Sequence, residues 1–562
     1  MRAHDVAGRL ILLGACLVLG AGPAPAQTAG SRGALPHLAR QGTATQLIVD
    51  GAPFLVRGGE VGNSTGEPEY LRTYWPKLQA LKLNTLVVPV YWDVVEPREG
   101  QFDFATVDGL VRDARAHGLR LVLLWFGSWK NSMSCYAPAW VKTDVKRFPR
   151  ARDRAGRTLE ILSPFSDANR QADANAFAAL MRHLRGSDGV QQTVVMVQVE
   201  NEIGMIPHAR DHGPEAEAEY RRPVPPELRK ALRAGRDADA LQPDLRKTWE
   251  SAGAKVSGTW ADVFGPGVEG DEVFMAWHFA RYTEQVAAAG KREHPLPMFV
   301  NAALVRPAFK PGQYPSAGPL PHLMDVWRAA APSIDFLAPD VYFPNFAEWA
   351  GRYAQAGNPL FIPEALRSPD AAVNALYAAG QHDAIGFCPF GIESIGEPAA
   401  TLLSGANDLL AQLEPLLVAN QGKGTMAGLL PPAAEQRQPH QIALGGVLLN
   451  VTYERGTPPA LADGVIVPSG AAPSGPPLPS GGLVIAAGPD EFLFAGLGVV
   501  VTFDSRAAGE AVGIASCEEG WFEGGRWQHV RWLNGDQTHQ GRHLRLEPGR
   551  FAIQRIKLYR YR

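Results

Sequence analysis

Two short segments hold the residues best suited to do chemistry. Gln198-Val199-Glu200-Asn201-Glu202 closes one apolar run, and Pro359-Leu360-Phe361-Ile362-Pro363-Glu364 closes another. Short apolar runs that end in an acid read as buried strands, and a parallel barrel gathers its strand ends on one face. Distance along the chain is then no obstacle to bringing Glu202 and Glu364 together. Two carboxyl groups so placed suit cleavage of a glycosidic bond, where one protonates the departing oxygen and the other attacks or activates water. A lone strand-end glutamate is more often half of a salt bridge. The second acid on a later strand, and the Asn that precedes Glu202 but not Glu200, distinguish this pair.

For retention of configuration the two carboxyls must stand about 5–5.5 Å apart. Glu202 must then be protonated as the bond breaks, its proton held by the nearby charge of its partner, while Glu364 must be ionised to attack. Asn201 is placed to hydrogen-bond the hydroxyl next to the reacting carbon. Around them stand weaker candidates. Tyr91 and Trp92 end another apolar run, where an aromatic ring could stack on a sugar or cap the core; the reading assigns Tyr91 to the site and Trp92 to the core. Trp129 is assigned to a pocket wall. Tyr342, in Pro339-Asp340-Val341-Tyr342-Phe343, could orient the nucleophile through its hydroxyl, with packing as the equal alternative. Glu96, ahead of Pro97, reads as a structural ion pair. Neither a metal nor a serine-hydrolase mechanism is expected. No cofactor is needed.

The elements that must position these groups alternate. Apolar runs rich in Val, Leu, Ile and Phe fall at 54–57, 85–90, 119–125, 193–199, 297–301, 336–341, 359–363 and 384–387. None has the alternation of a one-sided sheet, so each reads as a parallel strand covered on both faces. Helical spacings lie between them, as in Leu71, Trp75, Leu78 and Leu81, and again in Phe274, Trp277, Arg281 and Tyr282. Eight such strands alternating with helices predict an α/β fold, a (β/α)₈ barrel at 27–420. The absence of a Gly-rich phosphate loop after the first run argues against a doubly wound sheet. A charged insertion at 208–270 follows the fourth run and reads equally as a wall of the substrate entrance or as a solvated decoration. From 421 to 562 the pattern turns β-rich, with long strands expected at 441–453, 491–503 and 551–561, and a flexible loop at 457–482 dense in Pro, Gly, Ser and Ala. Trp521, Trp527 and Trp532 alternate with polar residues and are expected to pack against the barrel.

Composition narrows the partner. In 562 residues the formal net charge is −3, with 54 Lys and Arg against 57 Asp and Glu, and no basic stripe suggests a nucleic acid. The expected partner is a neutral carbohydrate. Arg2, His4 and Arg9, an apolar run to Ala21 and Ala24-Pro25-Ala26 have the order of a secretory signal at 1–26, so an exported, periplasmic or extracellular protein with no membrane span is expected. A lipoprotein signal ending at Cys16 would have an unusually short apolar stretch. Cys135, Cys388 and Cys517 lack the spacing of a zinc site and read as free thiols or at most one bridge.

Several motifs fall in an order that resembles a known family. Asn201-Glu202 on a fourth strand and Glu364 on a seventh resemble the clan of retaining (β/α)₈ glycosidases. Within it, Arg57-Gly58-Gly59-Glu60, Leu83-Asn84-Thr85 and Tyr91-Trp92 with Glu96-Pro97, Gly100 and Phe102-Asp103-Phe104 resemble glycoside hydrolase family 35 over about residues 45–400. The resemblance implies an exo-acting β-galactosidase with Glu202 as general acid/base, Glu364 as nucleophile and Asn201 on the 2-hydroxyl. It also implies a C-terminal β-domain of one bacterial branch, and on that basis plant-type oligosaccharides such as xyloglucan fragments. At the third strand, Trp125-Phe126-Gly127-Ser128-Trp129-Lys130-Asn131 departs from the family's pattern, putting Asn131 where many members have a galactose-binding acid. An arabinoside or glucoside as substrate, and a barrel that binds carbohydrate without cleaving it, stay open.

Overall fold

The structure, a computed structural model, describes residues 34–432, 439–454, 461–462, 465–466 and 478–562. The expected signal at 1–26 and most of the expected loop at 457–482 lie outside the described residues. Ala34–Arg562 form one compact unit.

Eight parallel strands close into a barrel: β1 (Val56–Glu60), β2 (Thr85–Tyr91), β3 (Arg120–Lys130), β4 (Val194–Asn201), β5 (Met298–Ala303), β6 (Phe336–Val341), β7 (Phe361–Ala365) and β8 (Gly386–Pro389). They neighbour one another in chain order, and β8 returns to β1 through Gly386 opposite Val56 and Phe387 opposite Arg57. Each expected apolar run is one of these strands. The largest difference is at β3, which runs on to Lys130 past a register irregularity between Trp125 and Lys130. Inside the barrel, Val87, Val122, Leu124, Phe126, Met196, Phe299, Phe336 and Phe361 pack into a filled core. A small antiparallel sheet of His37–Gln41, Ala44–Val49 and Ala52–Pro53, not foreseen from the sequence, precedes β1 and adds Leu47 and Val49 to that interior. The barrel is therefore plugged at its N-terminal end and open only at the face that carries the strand ends.

Helices cover the outside. Asp167–Ser187 starts at Ser166, whose hydroxyl accepts from the Asn169 N–H and so satisfies one orphan donor of the first turn. Val268–Glu293 buries Phe274, Trp277 and Tyr282 on the face that the spacing marked. In the insertion, Pro214–Tyr220, Pro226–Asp237 and Pro243–Ser251 each begin with a proline, which fits the first helical turn because its missing N–H would be unbonded anyway. Leu228, Leu232, Leu245, Trp249 and Trp260 from this stretch are buried in the main core. The insertion is thus packed into the core of the barrel domain and is not a solvated decoration.

Two antiparallel sheets follow. One has six strands: Met426–Leu429, Gly481–Gly488, Glu491–Leu497, Ala552–Tyr561, Ala511–Glu523 and Arg526–Trp532. The other has four: His440–Leu444, Val447–Tyr453, Val499–Ser505 and Leu544–Leu546. Two of the expected long strands are in fact pairs. The 441–453 run turns at Gly445-Gly446 and the 491–503 run breaks at Gly498, all three at positive φ that glycine adopts without strain. Gly481 and Gly482, expected in the loop, are strand residues instead: a β-carbon on Gly482 would fall 2.1 Å from the Ala495 carbonyl oxygen, so only glycine lets these strands approach. Trp527 packs on the main core as expected, but Trp521 and Trp532 are exposed. The three thiols described are unpaired, Cys388 and Cys517 buried and Cys135 exposed.

Candidate active site

The strand ends meet where the two glutamates were expected. One carboxylate oxygen each from Glu202, Asp340 and Glu364 lies within 4.8 Å of the others, and all three residues are buried. Glu202 follows the last residue of β4 in a left-handed backbone conformation (φ 43°), and Glu200, two residues earlier, has φ 62°. Left-handed glutamates are costly and persist where the surroundings hold them. Here Asn301, at the end of β5, accepts the Glu202 main-chain N–H through Oδ1 (2.9 Å) and donates through Nδ2 to Asp340 Oδ2 (2.6 Å). The Tyr342 hydroxyl donates to Glu364 Oε1, so β6 and the residue just after it grip both carboxyls.

The remaining polar atoms face one another without partners. Glu60 Oε1, both side-chain atoms of Asn201, Asp340 Oδ1 and Glu364 Oε2 are buried and make no hydrogen bond within the protein. Buried polar groups are nearly always bonded, so a knot of unbonded ones marks a place made for a polar guest. The electrostatics run against the expected division of charge, in which Glu364 is the ionised partner. Burial first, then the charge of Glu202, pushes the Glu364 carboxyl up to about 7, while Lys130 and the Tyr342 hydroxyl pull it down. Glu60 and Asp340 are held well above the usual carboxylate range, first by burial and next by Glu364. Lys130, at the end of β3, is the cation that opposes this at Glu60 and Glu364.

Of the weaker candidates, the structure brings Tyr342 to the site and leaves others out. The Tyr91 hydroxyl donates to the Asn63 carbonyl (2.8 Å) and accepts from the Gly66 N–H (3.0 Å), and its ring stacks on Tyr136. It braces the loop after β1. Trp129 does not wall the pocket: it is fully buried on the helix side, its indole N–H on the Leu162 carbonyl and its ring against Phe279 and Tyr282. Asn131 is exposed, at φ 47°, and its side-chain oxygen accepts from Lys130. Trp92 is core, and Glu96 holds its indole N–H and the Gly100 N–H rather than an ion pair.

Sequence reading missed Glu60, Lys130, Asn301 and Asp340 as site residues. A polar side chain as the final or near-final residue of an apolar run was the available signal for Asn301 and Asp340, whereas Glu60 and Lys130 fall beyond the runs at 54–57 and 119–125.

With this geometry in hand, the chain can be set beside known proteins. Residues 46–231 match the family model described as glycosyl hydrolases family 35. Residues 403–545 match a domain of unknown function, DUF5597. The family 35 match spans β1 to β4, with Glu60, Lys130 and Glu202, and stops before the strands that bring Asp340 and Glu364. A beta-galactosidase of Xanthomonas manihotis is 32% identical over 186 residues, 32% of this chain and 28% of that protein. The chain thus spans under a third of that relative. Among solved structures, a beta-galactosidase from Rahnella sp. R3 is similar with a TM-score of 0.44 at 16% identity, covering 65% of this chain and 57% of that one. One from Bacillus circulans sp. alkalophilus is similar with a TM-score of 0.44 at 13% identity, over the same shares of 65% and 57%. The barrel itself, not these distant likenesses, defines the fold.

Proposed function

We propose that the protein is a retaining exo-β-galactosidase that removes terminal β-galactosyl residues from oligosaccharides or plant polysaccharide fragments such as xyloglucan, working after export. The approach of the Glu202 and Glu364 carboxyls to within 4.8 Å supports this reading most directly. Inverting chemistry keeps its two carboxyls about 6.5–9.5 Å apart to admit a water.

Glu364 Oε1 is occupied by the Tyr342 hydroxyl and Oε2 has no partner, so Oε2 is the oxygen that attacks the anomeric carbon. As that C–O bond forms, the glycosidic C–O bond breaks and Glu202 gives its proton to the leaving oxygen. Glu202, now ionised, then takes a proton from water. The hydroxide so generated attacks the same carbon, and the bond to Glu364 breaks. The unbonded amide of Asn201 meets the 2-hydroxyl, and Glu60, Asp340 and Lys130 remain for the other hydroxyls of the ring.

Hydrolysis of a panel of nitrophenyl glycosides by wild type and by Glu364→Gln tests this. Release from the β-galactoside, lost in the variant, is the expected result. Preference for an arabinoside or glucoside would keep the mechanism and change the sugar. No release from any glycoside, with retained sugar binding, would make the barrel a carbohydrate-binding protein.

A further inference from the structure

A second cleft lies on the same face of the barrel, outside the carboxyl cluster. It has a volume of about 1000 Å³, and none of Glu60, Glu202, Asp340 or Glu364 lines it. The insertion forms one side through helices Pro243–Ser251 and Trp260–Phe264. The other side is the chain after β5, with Val305 to Phe309, and helix Phe346–Tyr353, which follows β6. A cleft of this size fits several sugar units or a drug-sized molecule.

Its chemistry selects among ligands. Five acids (Asp244, Asp262, Glu269, Glu272 and Glu348) and four bases (Lys247, Lys255, Arg306 and Arg352) line it, together with His322. That balance does not favour an anion or a cation. Donors and acceptors interleave along the wall: Asn345 donates to Glu348, which also pairs with Arg352. The Arg352 guanidinium lies 4.9 Å from the centre of the Trp349 ring. Phe309 is 43% exposed. The Trp349 indole N–H is buried without an acceptor in the protein. An exposed aromatic face beside paired donors and acceptors, with one indole N–H unpartnered, suits a neutral ligand with apolar C–H faces and many hydroxyls.

The cleft is also connected to the reacting centre. Trp349 packs against Phe343 with ring centres 5.9 Å apart, and Phe343 adjoins Tyr342, which bonds Glu364. Resting on the glycosidase reading above, we propose that this cleft binds the part of a neutral, extended or branched oligosaccharide remote from the bond that is cut, with Phe309 as its platform and Trp349 in its wall. The protein then selects oligosaccharides over disaccharides.

The test compares kcat/KM on galactosylated xyloglucan oligosaccharides with kcat/KM on 4-nitrophenyl β-galactoside, in wild type, Phe309→Ala and Trp349→Phe. Phe309 is exposed, so its replacement leaves the core alone, and Trp349→Phe keeps an aromatic side chain while deleting the unpartnered N–H. The ratio should fall at least tenfold in Phe309→Ala and severalfold in Trp349→Phe, mainly through KM. A ratio within twofold of wild type in both variants, with the aryl glycoside still cleaved, overturns the cleft and leaves the glycosidase reading intact. If wild type cleaves no glycoside, that reading falls instead. Calorimetric binding of the same oligosaccharides then decides the cleft: a Kd raised at least fivefold by Phe309→Ala supports it, and an unchanged Kd or absent binding overturns it.

Discussion

Glu202 and Glu200 are two residues apart, both glutamate and both buried, yet they belong to opposite environments. Glu200 faces the helices. Its Oε2 accepts the Trp129 N–H (2.7 Å), and burial, then the charge of Asp173, hold its carboxyl well above the usual range. Asp173 in turn takes the Trp125 indole N–H, the Ser128 N–H and the Ser128 hydroxyl. On the inner side of the strand end, Glu202 stands among oxygens and amide atoms that have no partners. The outer cluster ties β3 to β4 and leaves one oxygen unbonded, Glu200 Oε1, whereas the inner one leaves five atoms, on Glu60, Asn201, Asp340 and Glu364. Burial is common to both. The number of unbonded atoms left for a ligand is what separates the two clusters.

That contrast can be broken in four ways. Glu364→Gly should cost about 10⁴-fold or more in kcat, with azide restoring turnover as the inverted glycosyl azide; near-full activity without azide would remove Glu364 from the mechanism. Glu202→Ala should cost about 10²–10⁴-fold on natural glycosides but far less on dinitrophenyl glycosides, whose leaving groups need no proton. Equal losses on both would deny Glu202 the role of acid.

Thermal melts should divide the two clusters. Asp173→Ala strands three donors and should lower stability by on the order of 3 kcal/mol. Glu60→Gln removes an acid whose folded pKa is raised, so its ionised form opposes folding. The variant should therefore be more stable than wild type above the unfolded-state pKa of about 4.3, with a gain that grows as pH rises and vanishes below it. Both variants melting lower at pH 8 would erase the distinction.

The smallest effect is a shift in a profile. Glu364 must be ionised to attack, so kcat/KM on an aryl glycoside should rise with pH through about 7. Tyr342→Phe deletes a hydrogen bond that favours the carboxylate and should move that limb to higher pH. A limb that stays in place would belong to another group.

The eight strands were legible because each is buried on both faces and so lacks polar alternation, and because helices of regular spacing separate them. The acid pair was legible because it sits at strand ends next to Asn201 and Pro363. Trp129 lies where the register of β3 is irregular, so the direction of its side chain had no sequence signal. Asp340 and Lys130 were hidden in motifs read for their aromatic neighbours. Asn301 acts through two hydrogen bonds to other site residues, a role that no local pattern announces. The glycine breaks at Gly445-Gly446 and Gly498 were visible in the sequence but were outweighed by the apolar runs that flank them.

Helix Ala371–His382, which follows β7, lies directly on the six-stranded sheet: a β-carbon on Gly380 would fall 2.6 Å from Leu483 Cβ and 2.9 Å from the Ala427 carbonyl oxygen. Leu483 lies within the stretch that matches the domain of unknown function, and that stretch begins at residue 403, inside the barrel's last helix, Ala399–Asn420. Each half thus vetoes substitutions in the other. Chimeras that graft this C-terminal half onto a foreign barrel should fail unless the helix surface travels with it, and the two halves are constrained to drift as one heritable block.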